Sequence, residues 1–355
     1  MYGVLVLFLG KPCKNYLIRG AAFSMLEDKF GHFFELERKF VSKLDKEGLS
    51  RNTVKNYKTD LDCFNKFLRA SQSPFDLNNL TTDLAQKYND FLNQKLNSDN
   101  SKRRRIQTLR IFLDFLVGQS IILTNPVRNL QSSPKFLDIP RPTPFSDIKT
   151  LWTYLLEEKE SSDEMIKLLA QRNQIILLLI FGAGLKVSDL SHLKEKQIFI
   201  DASPRVMLTP FKREPYTIPL PPIFASIFLE YGESLSNFKK KSGLTFDELL
   251  FNANPYQIIS GGLSPRGLEL IFEEFRKKLV LQLTPKSLRQ ACIFKWLAQN
   301  KKDNIIKEWM GVSSAYSLKL YKDHATNNLY SDQFLEEMYL NLKRRRTPTI
   351  STNLL

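Results

Sequence analysis

The chain of 355 residues carries 52 Lys and Arg against 37 Asp and Glu, a formal net charge of +15. A hydrophobic fraction of 43% excludes a disordered chain, and the length suits two domains. Three scattered cysteines (Cys13, Cys63 and Cys292) exclude a disulfide framework and zinc-finger spacing and fit a reducing, cytoplasmic setting; the charge excess favours a polyanionic partner, nucleic acid first.

The opening MYGVLVLFLG is apolar but lacks a basic n-region, and no cleavage site follows it. Residues 1–24 are therefore read as an appendage or a mis-called start. No apolar run reads as long enough to cross a membrane, so no membrane partner is expected. A helical domain is expected over 30–130. FELERKFVSKLDKEGLS has helical apolar spacing and stops at Gly48. Ser50 precedes RNTVKNYKTDLDCFNKFLRA, where Val54, Tyr57, Leu61, Phe64 and Leu68 recur at three and four. A third helix fits LTTDLAQKYNDFLNQKL, capped by Thr81 or Thr82. The fourth, SKRRRIQTLRIFLDFLVGQ, is basic in its first half (Lys102, Arg103, Arg104, Arg105, Arg110) and apolar in its second. Such a run is commonly a solvated face. On a helix of a basic chain, contact with a DNA backbone is the better reading.

Asn125-Pro126 ends this region, and a Pro- and Ser-rich linker is expected over 131–145. A second domain is expected over 146–346, followed by a tail over 347–355. It opens with SDIKTLWTYLLEEK and EMIKLLAQRNQIILLLIFGAG, the latter a buried helix stopped by Gly182 and Gly184. Three strand-like runs follow, QIFI, RVMLT and YTIPL, the last two flanking the basic tip FKREP. Helices then fit PIFASIFLEYGESL, SPRGLELIFEEFRKKL, TPKSLRQACIFKWLAQN, NIIKEWMG and SDQFLEEMYLNLKRRR. The expected fold class is mainly α with a small three-stranded antiparallel sheet.

Candidate chemistry gathers in four places. In TPKSLRQACIFKW, Thr284 is a good N-cap and Pro285 a good first residue, so Lys286 and Arg289 share one face of the first turns. Two cations beside a helix N-terminus suit a phosphate; the alternative is a solvated basic face. In FGAGLKVSDLSHL, Lys186 emerges past the glycines, and Ser188 or Asp189 can cap the next helix. Lys212 and Arg213 sit on the hairpin tip. GVSSAYSLKLYKDH carries two tyrosines, Tyr316 and Tyr321.

These pieces, in this order, resemble the tyrosine recombinase (phage integrase) family. Met310-Gly311-Val312-Ser313-Ser314 is similar to the family's Leu-Gly-His-Ser-Ser-like helix start, and the nucleophilic tyrosine that follows nine residues later falls on Tyr321. That spacing leaves Tyr316 to packing. LTPKSLRQA resembles Thr-Pro-His-x-x-Arg-His: Arg289 matches the second catalytic arginine, and Lys286 and Gln290 stand where histidines are usual. GAGLKVSDLSHL resembles Thr-Gly-Leu-Arg-x-Ser-Glu-Leu, with Lys186 at the first catalytic arginine and Asp189 at its acidic support. FKREPYTIPL resembles the hairpin that carries a catalytic lysine, with Lys212, or Arg213 in the shortened loop, as its counterpart. The N-terminal helices look like the family's SAM-like core-binding domain.

The resemblance implies transesterification at a phosphate of double-stranded DNA, without metal or other cofactor, by a homo- or hetero-tetramer on paired sites. Tyr321 would attack and leave a 3′-phosphotyrosyl link and a free 5′-hydroxyl, and the hairpin lysine would protonate the leaving oxygen. Arginines suit the charge on the phosphoryl oxygens because they are planar and bidentate. Lys186 keeps the charge and loses that fork, Lys286 replaces a histidine, and Val312 offers no hydrogen bond. His324 is not at the histidine position the family uses. The alternative implied is a recombinase-fold DNA-binding protein that no longer cleaves.

Overall fold

The computed structural model describes residues 33–71, 80–130, 139–191, 193–210, 213–254, 256, 258–325 and 330–344. Residues 1–32, read above as an appendage and a domain start, lie outside it, as does the tail. The chain divides into two compact units between residues 136 and 137.

The first unit holds helix α1 over 33–46, α2 Arg51–Ala70, α3 Thr82–Lys95 and α4 Asp99–Gly118, closed by a 3-10 turn at Pro126–Asn129. Side chains set the starts. The Ser50 and Thr81 hydroxyls accept from Thr53 N and Leu84 N. Ser98 does the same for Ser101 N, so α4 begins at Asp99. The apolar stripes meet in an aromatic core: Phe33, Phe40, Phe64, Tyr88 and Phe112 are all buried, with Phe33 and Phe112 edge to face at 5.4 Å.

The second unit packs α5 Phe145–Glu158, α6 Glu164–Leu177, α8 Phe224–Ser242, α9 Pro265–Leu279 and α10 Pro285–Ala298 around one core. Short helices α7 Val187–Leu190, α11 Asp303–Met310 and α12 Lys319–Asp323 lie at its edge, and α13 Gln333–Arg344 comes last. The expected three-stranded antiparallel sheet is present as β1 Ile198–Phe199, β2 Arg205–Leu208 and β3 Tyr216–Pro219, in the order β1-β2-β3. Val206 faces Ile198 on one side and Ile218 on the other, and Val206 and Ile218 are fully buried. A second hairpin, β4 Phe251–Ala253 with β5 Ile259–Gly261, was not foreseen.

Residues 141–144, read as linker, are docked on α10. Thr143 N donates to Ser287 O (3.0 Å), Arg141 N to the Gln290 side chain (3.1 Å), and Tyr330 Oη to Thr143 O (2.9 Å). Helix α13 packs on its own domain: Trp152 Nε1 donates to Leu335 O, and Glu230 of α8 accepts from Lys159, Tyr339 and Lys343.

Helix α6 runs on through a π turn at Leu178–Gly182. Contrary to the sequence reading, the 19-residue stretch Glu164–Gly182 is long and apolar enough to cross a membrane by length and composition. Its apolar window is 78% buried inside the domain, as a core helix requires.

Candidate active site

The chain leaves α6 through Gly184, at φ +65°. A Cβ there would fall 2.5 Å from the Trp296 ring of α10, so the loop lies directly on that helix. Two turns earlier on α10, Arg289 grips the same loop. Its Nε donates to Gly184 O at 2.6 Å and its Nη2 to Met310 O at 2.7 Å. One guanidinium thus ties α10 to the end of α6 and the end of α11. Helix α10 owes its position on the chain to Thr284, whose hydroxyl accepts from Ser287 N, and to Pro285 in the first turn.

Lys186 follows Gly184 by two residues. Its backbone N–H donates to Asp189 Oδ2 at 2.9 Å, so Asp189, one of the two capping candidates, holds the start of α7. Helix α11 ends at Gly311, a left-handed cap with φ +66°. Lys186 Nζ, Tyr216 Oη and Arg213 Nη1 lie 3.2, 3.2 and 3.3 Å from the point where a Cβ on Gly311 would stand. Three donors from two segments, the loop before α7 and the exit of the β2–β3 hairpin, therefore converge on one bare glycine. Burial, Arg289 and Arg213 hold the Lys186 ammonium below its ordinary pKa, with Asp189 opposing. Burial, with Asp189 next, pushes the Tyr216 hydroxyl above its ordinary value, so it remains a donor at neutral pH. Arg213 stacks on the Tyr216 ring, 5.2 Å from its centre.

Tyr321 is 9% exposed, on α12, and its ring lies 5.8 Å from that of Phe294 on α10. The reading that left Tyr316 to packing does not describe its surroundings: Tyr316 is 38% exposed in the loop that follows Gly311. Val312 packs against the core. His324 Nδ1 lies 2.8 Å from Leu320 O, within its own turn. Lys286 is exposed in the first turn of α10 and lines an open cleft of about 400 Å³ with Arg141 and Arg276. Lys212 lies outside the described residues.

The basic run of α4 is engaged at home. Asp60 of α2 is buried, with Thr108 Oγ1 donating to Oδ2 (2.9 Å) and Arg104 Nη2 2.9 Å from Oδ1. Arg105 Nε stands 3.8 Å from the same oxygen, and its Nη1 reaches Ser101 O. Lys102 pairs with Asp99, Arg103 with Asn100, and Arg110 with Gln107 and Val127 O. Arg103, Arg104, Asn56, Asn100 and Gln107 nevertheless line an open groove of about 510 Å³ between α2 and α4. Among the described residues, no group of three His, Cys, Asp or Glu side chains is placed to hold a metal ion.

Sequence reasoning missed Tyr216. It reads there as an alternating strand residue, and the available signal was its place four residues after Lys212 at the hairpin's exit.

Two helical units, the second with a small sheet, form an integrase fold. The structure is similar to a lambda integrase dimer bound to a COC′ core site, at TM-score 0.60 and 17% identity over 84% of this chain and 98% of that one. It is also similar to the Tn1549 transposon integrase in complex with transposon right end DNA, at TM-score 0.57 and 13% identity over 85% and 98%. In sequence, the chain is 26% identical over 311 residues to the tyrosine recombinase XerC of Staphylococcus saprophyticus, covering 86% of this chain and 95% of that protein. It is 25% identical to the XerC of Listeria innocua over 306 residues, 84% of this chain and 95% of that protein. The phage integrase SAM-like domain family matches residues 32–132. Over most of its length the chain is thus similar to tyrosine recombinases, and its first unit to the phage integrase SAM-like domain.

Proposed function

We propose that this protein is a site-specific DNA recombinase that cuts and rejoins double-stranded DNA through a 3′-phosphotyrosyl bond to Tyr321. The observation that carries the reading is the convergence of Lys186 and Arg213 on Gly311, beside the Met310 carbonyl that Arg289 grips, at the head of the segment leading to Tyr321. The relatives named tyrosine recombinases, and integrases whose structures hold core-site and transposon-end DNA, support it.

In this reading, Tyr321 Oη forms a bond to the scissile phosphorus as the bond to the 5′-oxygen breaks. The tyrosine gives its proton to solvent water, and the 5′-oxygen leaves as a hydroxyl after taking one from Lys212, assigned from sequence alone. Attack by a 5′-hydroxyl of another strand reverses the step. Charge on the phosphoryl oxygens is met by Lys186, Arg289 and Lys286. Arg213 and the α4 residues Lys102, Arg103, Arg104, Arg105 and Arg110 contribute positive potential toward the DNA backbone. A lambda integrase tetramer bound to a Holliday junction supports assembly as a tetramer on paired sites.

A second reading, a DNA-binding protein of this fold that no longer cleaves, is favoured by the packing of Tyr321 against Phe294. One experiment separates them. The protein is incubated with randomised duplexes that each carry a nick, so the short cleaved strand escapes and religation fails. A denaturation-resistant protein–DNA adduct that maps to Tyr321 and is lost in Tyr321→Phe supports cleavage. Retained duplex without any adduct supports the second reading.

A further inference from the structure

The site has a fork to replace. A lysine is a point donor, whereas a phosphoryl group presents several oxygens that a guanidinium grips in pairs. Val312, at the start of the loop after Gly311, offers no donor either. A tyrosine hydroxyl lies close to the Lys186 ammonium. Tyr216 Oη and Lys186 Nζ are each 3.2 Å from the same point above Gly311, so the two atoms flank one small volume.

The surroundings fit a ligand role for the hydroxyl. Tyr216 is half-buried at the start of β3, in register with Leu208 of β2, so the sheet fixes its backbone. Arg213 lies over its ring, 5.2 Å from the centre. Arg213 Nη1 also reaches to 3.3 Å of the Gly311 point, which adds positive potential there. Gly311 itself has no side chain to fill the space.

We propose that Tyr216 is a phosphate ligand of this site, its hydroxyl and the Lys186 ammonium together supplying the pair of donors that one arginine fork supplies alone. The proposal rests on reading the cluster as a phosphoryl-transfer site. It predicts a specific interdependence: the need for Tyr216 disappears once position 186 regains a fork.

Two measurements test it. In the first, the full chain with 13C-labelled tyrosine rings is titrated with inorganic phosphate at constant ionic strength. The Tyr216 resonance, identified by its absence in Tyr216→Phe, shifts saturably, and the shift is lost in Lys186→Met. A Tyr216 resonance that phosphate leaves unmoved overturns the proposal. In the second, adduct formation is followed in a single turnover on nicked duplex. Tyr216→Phe slows it about 10–100-fold while duplex affinity stays within about threefold, and Lys186→Arg in the Tyr216→Phe background restores most of the rate. A native rate in Tyr216→Phe, or a loss that Lys186→Arg leaves unrestored, overturns it, because a packing role would not be rescued from position 186. Should the native protein form no adduct, the cleavage reading falls, and the phosphate titration still decides the role of Tyr216.

Discussion

Lys186 Nζ stands 3.2 Å from the point where a Cβ on Gly311 would project, though the two residues lie on different elements far apart in the chain. Any side chain at 311 meets Lys186, Tyr216 and Arg213 together, and must also adopt φ +66°. Gly311→Ala therefore costs about 1–2 kcal/mol in stability from backbone conformation alone. Its larger effect is on the three donors, which must each give way. A displacement of a few tenths of an ångström in all three is expected to lower adduct formation by about 10-fold. Urea unfolding and single-turnover cleavage measure the two effects separately.

Arg289 joins Gly184 and Met310 through two short hydrogen bonds. A lysine ammonium lacks the planar fork that meets both carbonyls and, in the proposed function, a phosphate as well. Arg289→Lys is expected to lower single-turnover cleavage by about 10²–10³-fold. Arg289→Ala also strips the partner from two carbonyls, and lowers unfolding free energy by about 1–3 kcal/mol. Equal cleavage in Arg289→Lys and the native protein would remove Arg289 from the site.

Lys186→Arg returns a fork to a pocket already lined by Tyr216 and Arg213. Cleavage is expected to be as fast as in the native protein or faster, with duplex affinity unchanged. A complete loss would mean that the pocket is shaped around the ammonium, and that the lysine has a geometry of its own.

Much of this fold was legible because local chemistry and tertiary packing agree. Ser50, Thr81 and Thr284 cap the helices that their positions announce, and the three strands alternate as a half-buried sheet requires. What escaped depends on distant partners. The strands FNA and ISG are too short to show a period, and they exist because they pair with each other. Residues 141–144 read as a linker from their prolines, yet their backbone groups find Ser287, Gln290 and Tyr330 far along the chain. Of the proposed site residues, the family resemblance singled out Arg289, Lys186 and Tyr321. Tyr216 was missed, since its place after Lys212 does not say which side of β3 faces Gly311; the sheet decides that. The arginines of α4 read as a free basic face because Asp60, on another helix, carries no sign of its burial.

That buried pair makes its own prediction. Asp60 has no exposed side-chain surface and relies on Arg104 at 2.9 Å and Thr108. Arg104→Met leaves the carboxylate with the more distant Arg105 and lowers unfolding free energy by about 1–3 kcal/mol. Asp60→Asn in that background recovers most of it, a non-additivity that a double-mutant cycle reads directly. Alone, Asp60→Asn frees one guanidinium charge toward the groove. Nonspecific duplex binding should tighten, with the salt dependence steeper by roughly one phosphate contact. Additive effects of the two substitutions would dissolve the pair.

Glu37 gives the first unit a pH dependence of definite sign. Its two carboxylate oxygens accept from Asn65 Nδ2 at 3.0 and 3.1 Å, and burial, reinforced by Asp62, pushes its pKa up to about 7. The folded value lies above the unfolded one of about 4.3, so between them the folded chain holds the extra proton. Stability from this group falls as pH rises from about 4.5 to about 7 and stays at the lower level above that. Glu37→Gln removes the charge and keeps the shape. At pH 5 the variant and the native protein should unfold alike. At pH 8 the variant should be more stable by about 1–2 kcal/mol, allowing for solvent screening of a side chain that still touches water. Urea midpoints across that range measure the difference, and an identical pH slope in both proteins would place the Glu37 titration elsewhere.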